Sequence, residues 1–377
     1  MRSAGGDGRP GRLARARARM AALGIDALLV THLPNVRYLT GMRASAAAAL
    51  IDGAGILLIT DARYITAART LAEEAGAGLG LAVIEIQKSY DQSICDVVRR
   101  RGLAHVGVEA EHVSLARWQW LRDSLRDEVT LVATAGLVET ERMVKDAAEC
   151  ERLRQAGRLL AGVVPVALQL TGAGRTEREV AADIERALAT AGFEDRAFET
   201  IVASGPRSAL PHARPGSRRL TAGDLVVLDF GGVYDGYCVD LTRTASVGEP
   251  GEMSLRMHAA VLVAQTAAIA AVRPGVQASA VDAAARGVLR EHGLAEAFQH
   301  GTGHGLGLEV HEAPRIAQAA RLQGPGADVV LEAGMVITVE PGVYVPNAGG
   351  VRIEDDVLVT AGGCEMLTEA PRALAVC

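Results

Sequence analysis

The stretch Asp224–Thr244, DLVVLDFGGVYDGYCVDLTRT, restricts the folding of this chain more than any other. Apolar and β-branched residues run up to Asp235-Gly236, a dipeptide suited to the positive-φ backbone of a tight hairpin turn, and resume beyond it. The pattern predicts two long antiparallel strands. Period-two alternation about that turn sends Asp229 and Asp240 to the same face of the ribbon. Carboxylates in runs this apolar lose hydration and repel one another, and a cation between them removes both penalties. The bland alternative is that each aspartate sits at a strand end or edge and accepts a backbone hydrogen bond.

Carboxylates recur in the same odd setting further along. MVITVEPG ends an apolar run in Glu340, and GGVRIEDDVLVT places Glu354 inside another. Each breaks the local strand preference, and such breaks concentrate at functional sites. Upstream of both lies HGTGHGLGLEVHEAP, His300–Pro314, with three histidines among four glycines. Its glycines are spaced GxGxGxG, not GxGxxG, and no Lys-Ser/Thr follows, which argues against a phosphate cradle. His300 and His304 have the spacing of a helical zinc motif, but a run this rich in glycine does not hold a helix. What remains is a loop that presents histidine while its glycines admit close neighbours. Asp229, Asp240, Glu340 and Glu354 with His304 make an oxygen-rich donor set. Such donors suit paired hard or borderline divalent ions, Mn²⁺ or Co²⁺, more than a lone tetrahedral Zn²⁺.

At 377 residues the chain exceeds one ordinary domain, and two are expected. In residues 1–140, short buried runs (27–31, 55–60, 82–86, 105–110) alternate with helical patterns, predicting an α/β domain on a largely parallel sheet. No GxGxxG follows the first run, so no dinucleotide site is expected there. In residues 141–377 two long helical patterns come first, the second opened by a Thr176–Glu179 capping box. Strand-rich segments and helices at 254–272 and 278–292 follow, which reads as α+β. A net charge of -6 and 3% aromatic residues leave no footprint for nucleic acid. Five scattered cysteines suit free thiols in a reducing compartment. The basic N-terminus reads as a disordered tail entering an amphipathic helix, since Asp26 interrupts the apolar run a secretory signal needs. LLAGVVPVALQL, 159–170, is too short to span a bilayer. A cytoplasmic protein with no membrane partner is expected.

The ordered series Asp229, Asp240, His304, Glu340, Glu354 stands in the contexts LDFGG, YCVDLTRT, HGTGHGLG, TVEPG and VRIEDD. With VHEAP, it resembles the dinuclear metallopeptidases of the pita-bread fold, in their aminopeptidase P and prolidase branch. GIDALLVTHLPNVRYLTG, residues 24–41, is similar to the start of the creatinase/prolidase-type N-terminal domain, so the resemblance spans almost the whole chain. It implies an α/β N-terminal domain (1–140) and an α+β pita-bread catalytic domain (141–377). The implied reaction is hydrolysis of the bond between an N-terminal residue and proline, on small peptides with proline in second position.

The resemblance also implies roles. Two divalent ions are expected, Mn²⁺ before Co²⁺ or Zn²⁺. Asp229 would chelate one ion, Asp240 and Glu354 would bridge both at about 3.5–4 Å separation, and His304 and Glu340 would complete the other shell. Glu340 would also shuttle a proton to the leaving nitrogen. His212, in ASGPRSALPHARP, and His311 would donate hydrogen bonds to the substrate and the tetrahedral intermediate. His300 would line the proline-side pocket, and Arg352 would orient Glu354. The remaining histidines (His32, His105, His112, His258, His292) have no such context.

A homodimer is implied too. Trp118 and Trp120 support it weakly, because residues two apart on a helix cannot share one buried stripe. Arg207 stands where relatives commonly carry Asn, which brings substrate length or acidity preference into question. Two alternatives differ in class. A creatinase-like amidinohydrolase works without metal and does not keep these positions as carboxylates. A non-catalytic binding protein on the same fold typically loses ligands, and this chain has lost none.

Overall fold

The computed structural model describes residues 8–76, 78–322 and 327–377. Residues 1–7, where the sequence suggests a tail, lie outside the described residues. Two compact units divide between Arg142 and Met143.

In the first unit, strands β1 (Ala27–Val30), β2 (Ala48–Asp52), β3 (Ile56–Thr60), β4 (Leu81–Glu85), β5 (His105–Glu109) and β6 (Thr130–Thr134) form one sheet in the order β4-β3-β2-β1-β5-β6. Helices α1 (Arg9–Ala22), α2 (Leu33–Thr40), α3 (Ile65–Ala75), α4 (Tyr90–Arg101) and α5 (Leu115–Leu125) are interleaved with the strands. The sheet is mixed, which corrects the expectation of a largely parallel one. β1–β5, β5–β6 and β3–β4 pair in parallel, whereas β1–β2 and β2–β3 are antiparallel. The cause is local. Only residues 53–55 separate β2 from β3, too few for the crossover that parallel strands require. Trp118 packs against the core of this unit while Trp120 remains 41% exposed.

After the short α6 (Glu139–Met143) come α7 (Ala147–Gln169) and α8 (Glu177–Ala191). Both open with capping boxes, Asp146/Glu149 and Thr176/Glu179. In each, the cap side chain accepts a backbone N–H that the first turn would otherwise leave unpaired. β7 (Asp195–Arg196), β8 (Ile201–Ser204), β9 (Leu225–Tyr234) and β10 (Tyr237–Ser246) lead to α9 (Glu252–Ala271) and α10 (Ala278–Glu291). Then follow β11 (Gly303–Gly305), β12 (Glu312–Ile316), β13 (Val336–Val339), β14 (Gly342–Val345), β15 (Gly349–Arg352), β16 (Asp355–Thr360), β17 (Gly363–Met366) and β18 (Ala375–Val376).

One sheet runs β18-β10-β9-β7 with β8 also on β9, a second runs β12-β11-β13-β16-β17, and β14 pairs with β15. The β9–β10 hairpin turns through Asp235 and Gly236 at φ 43° and 69°. Its register pairs Asp229 with Thr242 and Asp240 with Gly231. The two aspartates therefore share one face, one step apart along the ribbon.

Two apolar layers hold this unit. Leu153 and Leu160 of α7 and Val180 and Ile184 of α8 pack on Leu228, Phe230 and Val239. Val261 and Ala264 of α9 and Val281 and Leu289 of α10 pack on Ile337, Val351 and Val357. Full burial of each larger side chain contributes about 1.5–3 kcal/mol. α9 is the one helix among the described residues long and apolar enough to cross a membrane. Its Met257, Ala260, Val261, Ala264 and Ala268 are buried in the second layer, so its apolar character is that of a core helix.

Candidate metal centre

Strand geometry delivers the five expected donors to one place. Asp229 and Asp240 project from β9 and β10, His304 sits mid-β11, Glu340 directly follows β13, and Glu354 directly precedes β16. Ligand atoms of Asp240, His304 and Glu354 all lie within 4.8 Å of one another. His304 Nε2 is 3.6 Å from Glu340 Oε1. The negative charge of Asp229 reaches Asp240, Glu340 and Glu354, raising the proton affinity of each.

The glycines around His304 are explained by close approach. A Cβ at Gly303 would stand 2.0 Å from the Thr338 carbonyl oxygen, and one at Gly305 would stand 2.1 Å from that of Ala313. Only glycine lets β11 fit between β12 and β13. His304 Nδ1 lies 3.0 Å from the Gly305 carbonyl oxygen, to which it donates as N–H. The Nε2 lone pair is thereby left facing the carboxylates. Burial holds the pKa of His304 down at about 4, so the ring is neutral and its contact with Glu340 is no ion pair.

Burial, followed by repulsion from Glu354 for Asp240 and from Glu340 and Asp229 for Glu354, lifts both carboxyls well above their ordinary range. Burial pushes Glu340 up to about 7. Oδ1 of Asp229, Oδ1 of Asp240 and Oε1 of Glu354 are buried without a hydrogen-bond partner. Orphaned oxygens of this kind are costly, and a divalent cation satisfies them together while keeping the carboxylates ionised. Three unpartnered carboxylate oxygens and one neutral imidazole lone pair are the donors a divalent metal takes. The residues fit the metal.

Arg352 is only 3% exposed and works differently from the sequence expectation. Its guanidinium donates to Asp229 Oδ2, not to Glu354. Glu354 Oε2 instead accepts the Thr242 hydroxyl at 2.6 Å, and Arg352 Nε reaches that hydroxyl at 3.2 Å. The reason is register: Thr242 lies opposite Asp229, so one arginine spans both. Arg352 Nη1 donates to Tyr344 Oη at 2.7 Å and to the Pro211 carbonyl at 3.2 Å. Tyr344 Oη lies 2.9 Å from His300 Nε2, and His300 Nδ1 lies 2.7 Å from the Gly301 carbonyl oxygen. Since Tyr344 accepts from Arg352, it donates to His300, whose Nδ1–H donates to Gly301. Burial lowers the His300 pKa to about 3, which matches this neutral tautomer. Both ring nitrogens are committed, so His300 has only its carbon edge to offer a ligand.

His212 is exposed, one residue beyond the Pro211 carbonyl that Arg352 grips, and lies close enough to His300 and His311 to disfavour their protonation. The rings of His304 and His311 meet edge to face at 4.4 Å. All four sequence-nominated histidines thus share this neighbourhood. The sequence reading passed over Arg315, an exposed cation that pairs in register with His304 and acts on both His304 and His311. Its signal was a basic residue four beyond His311, on β12. Arg207 is committed elsewhere: its Nε donates to both oxygens of fully buried Glu177, at 3.2 and 3.1 Å, and Nη2 to the Arg214 carbonyl at 2.5 Å. Glu177 also accepts the backbone N–H of Ser204 and of Gly216, so arginine and glutamate together close the loop that carries His212.

Residues 12–144 match the creatinase/prolidase N-terminal domain, and residues 151–361 match metallopeptidase family M24. The chain belongs to metallopeptidase family M24. Within M24 it is 36% identical to the Xaa-Pro dipeptidase of Pyrococcus horikoshii over 93% of this chain and 94% of that one. The Xaa-Pro dipeptidase structure from Bacillus anthracis superposes with a TM-score of 0.90 at 33% identity, covering 98% of this chain and all of the other. The X-Pro aminopeptidase structure from Thermotoga maritima gives 0.84 at 36% identity, covering 95% of this chain and all of that one. The expected architecture, a creatinase-type α/β domain before a pita-bread catalytic domain, holds for this M24 chain. As an M24 metallopeptidase it is an enzyme dependent on divalent metal. The amidinohydrolase and binding-protein alternatives are not favoured.

Proposed function

We propose that this M24 enzyme hydrolyses the bond between an N-terminal residue and proline in small peptides. Residues 141–377 form the catalytic domain and residues 1–140 the N-terminal domain. The observation that carries the reading is the cluster of Asp240, His304 and Glu354 with its unpartnered carboxylate oxygens. The Xaa-Pro specificities in the names of its relatives support the substrate class. Two cations would find donors here: Asp229, Asp240 and Glu354 would hold one, and Asp240, Glu354, His304 and Glu340 the other. Mn²⁺ suits this donor set first, with Co²⁺ or Zn²⁺ next. The chemistry such ions would supply is a lowered pKa for the attacking water and polarisation of the scissile carbonyl.

The chain's own groups do the rest. A proline nitrogen carries no hydrogen and must be protonated as it leaves. Glu340 takes the proton of the attacking water and delivers it to that nitrogen. His212 and His311 donate hydrogen bonds to the oxygen that gains charge. The carbon edge of His300 lines the proline side, and Arg352 holds Asp229 in place. The enzyme acts in the cytoplasm as a homodimer, a state supported by the exposed Trp120. Light scattering at micromolar concentration gives twice the chain mass, and a monomer mass rejects the dimer.

The function is tested by metal analysis and turnover. Reconstitution with Mn²⁺ gives two metals per chain, and Ala-Pro is cleaved far faster than Ala-Ala. Comparison of Ala-Pro with Ala-Pro-Xaa-Xaa then separates dipeptidase from aminopeptidase. Equal cleavage of Ala-Ala and Ala-Pro, or one metal at saturation, rejects the reading.

A further inference from the structure

α10 carries a buried ion pair that neither the sequence nor the metal site accounts for. Asp282 is 1% exposed and Arg286 8%, one helical turn apart, with Arg286 Nε donating to Asp282 Oδ2 at 2.6 Å. Their helix is locked into the core by Val281, Ala285 and Leu289. A buried ion pair gains little stability over apolar residues of the same volume, because desolvating two charges offsets their attraction. Its purpose is better read from what else it holds: beyond the Gln318 amide beside the guanidinium, its further contacts go to one loop. Arg286 Nη1 donates to the Phe298 carbonyl at 2.9 Å, and Nη2 donates to the His300 carbonyl. The guanidinium also sits 4.1 Å from the centre of the Phe298 ring. Asp282 Oδ1 accepts the Thr302 backbone N–H at 3.1 Å and its hydroxyl at 2.9 Å. The Thr302 carbonyl in turn accepts the backbone N–H of Glu340 at 2.7 Å.

One helical ion pair therefore fixes the backbone on both sides of His300 and, through Thr302, the residue that starts the Glu340 segment. We propose that Asp282 and Arg286, with the Thr302 hydroxyl, are positioning residues that set where His300 and Glu340 stand during turnover. The inference rests on the roles given to those two residues above. It assigns no contact with substrate to the clamp itself. Loosening it leaves the donors present but misplaced, and small misplacements of reacting groups cost rate far more than binding.

Thr302 supplies a discriminating pair of variants, since it is fully buried. Thr302→Val keeps the shape and removes the hydroxyl, whereas Thr302→Ser keeps the hydroxyl and removes a methyl. A packing role favours valine, and the clamp favours serine. Arg286→Lys keeps the charge and loses the fork that spans two carbonyls. Each variant is read in two ways: amide hydrogen exchange of the 298–304 segment against the reference strand β16, and kcat and KM for Ala-Pro with bound Mn²⁺ counted.

Thr302→Val and Arg286→Lys are expected to speed exchange in 298–304 at least tenfold with β16 unchanged. They should lower kcat at least tenfold, with KM within about threefold and metal content unaltered. Thr302→Ser should stay within about threefold of wild type on every measure. Valine outperforming serine, unchanged loop exchange in both Thr302→Val and Arg286→Lys, or faster loop exchange at wild-type kcat overturns the proposal. Should the wild type fail to cleave Ala-Pro at all, the functional reading falls, while the exchange comparison still decides whether the clamp exists.

Discussion

Replacing Glu340 by glutamine should change stability in opposite directions in the metal-free and metal-loaded enzyme. In the metal-free protein, burial raises the Glu340 pKa from 4.5 to about 7. At 1.36 kcal/mol per pH unit, that difference corresponds to about 3 kcal/mol. The sign follows from the direction. A carboxyl whose folded pKa is raised leaves stability intact below the unfolded value of 4.5, and the penalty grows until the pH passes about 7. Glutamine has nearly the same shape and never ionises. Metal-free Glu340→Gln should therefore match the metal-free wild type near pH 4.5 and exceed it by up to about 3 kcal/mol above pH 8. With Mn²⁺ bound the order reverses, because the carboxylate is then a ligand and glutamine a weaker one. The difference between the two proteins isolates this residue from the histidines. His258 and His300 have lowered pKa values and withdraw stability as the pH falls below about 6.5, but they do so in both proteins; His304, 3.6 Å from Glu340, acts below the same pH, so the comparison is read above it. Thermal unfolding of each protein from pH 4.5 to 8.5, with chelator and with Mn²⁺, reads the effect. A metal-free difference that is flat across this range, or one that favours wild type at high pH, refutes the reasoning.

Asp240→Ala or Glu354→Ala should remove at least one metal per chain and lower kcat/KM far more than tenfold, tenfold being about 1.4 kcal/mol. Activity within tenfold of wild type in either variant rejects their bridging role. His212→Ala and His311→Ala should depress kcat strongly while metal content stays at the wild-type value, since neither is counted among the ligands. Metal loss measured in either one refutes that assignment. Arg207→Asn should lower stability by about 1–2 kcal/mol, the scale of a partly exposed bond to a charged group. It should leave the rate ratio of Ala-Pro to Ala-Pro-Xaa-Xaa within threefold, and a larger change in that ratio restores a direct role in substrate choice.

The clustering of the candidate donors was legible because strands have a short period. Asp229 and Asp240 could be set on one face from the Asp235-Gly236 turn alone, and the register agrees. Glu340 and Glu354 stood out as acids in apolar runs. Arg352 was harder. Proximity in sequence pointed to Glu354, but its side chain crosses to the neighbouring ribbon, where Asp229 and Thr242 lie opposite one another. The supporting groups were illegible for a related reason. Asp282 and Arg286 have the i,i+4 spacing of an ordinary solvated helix pair. Glu177 reads simply as an acid in the first turn of a helix. What makes each of them buried is a distant loop folding over it, and no local pattern encodes that. The β2–β3 connection was missed differently: AALID and GILLIT merge into one apolar stretch unless residues 53–55 are recognised as a turn.

The alternation in HGTGHGLG carries a consequence for how this segment tolerates change. Side chains at 300, 302 and 304 are those proposed above for the pocket, the clamp and the metal in turn. Positions 301, 303 and 305 have no room for a Cβ, which would stand 2.8, 2.0 and 2.1 Å from a backbone carbonyl oxygen, whereas at 307 it would first meet the movable end of the Glu312 side chain, at 2.9 Å. A saturation library across 300–307 should read as a comb, with intolerance at 301, 303 and 305 for want of space, selective tolerance at even positions and a milder effect at 307. Deleting a single residue would exchange the teeth for the gaps, turning histidines into the crowded face and glycines toward the carboxylates. The segment is thus open to evolution only by substitution, never by a change in length of one.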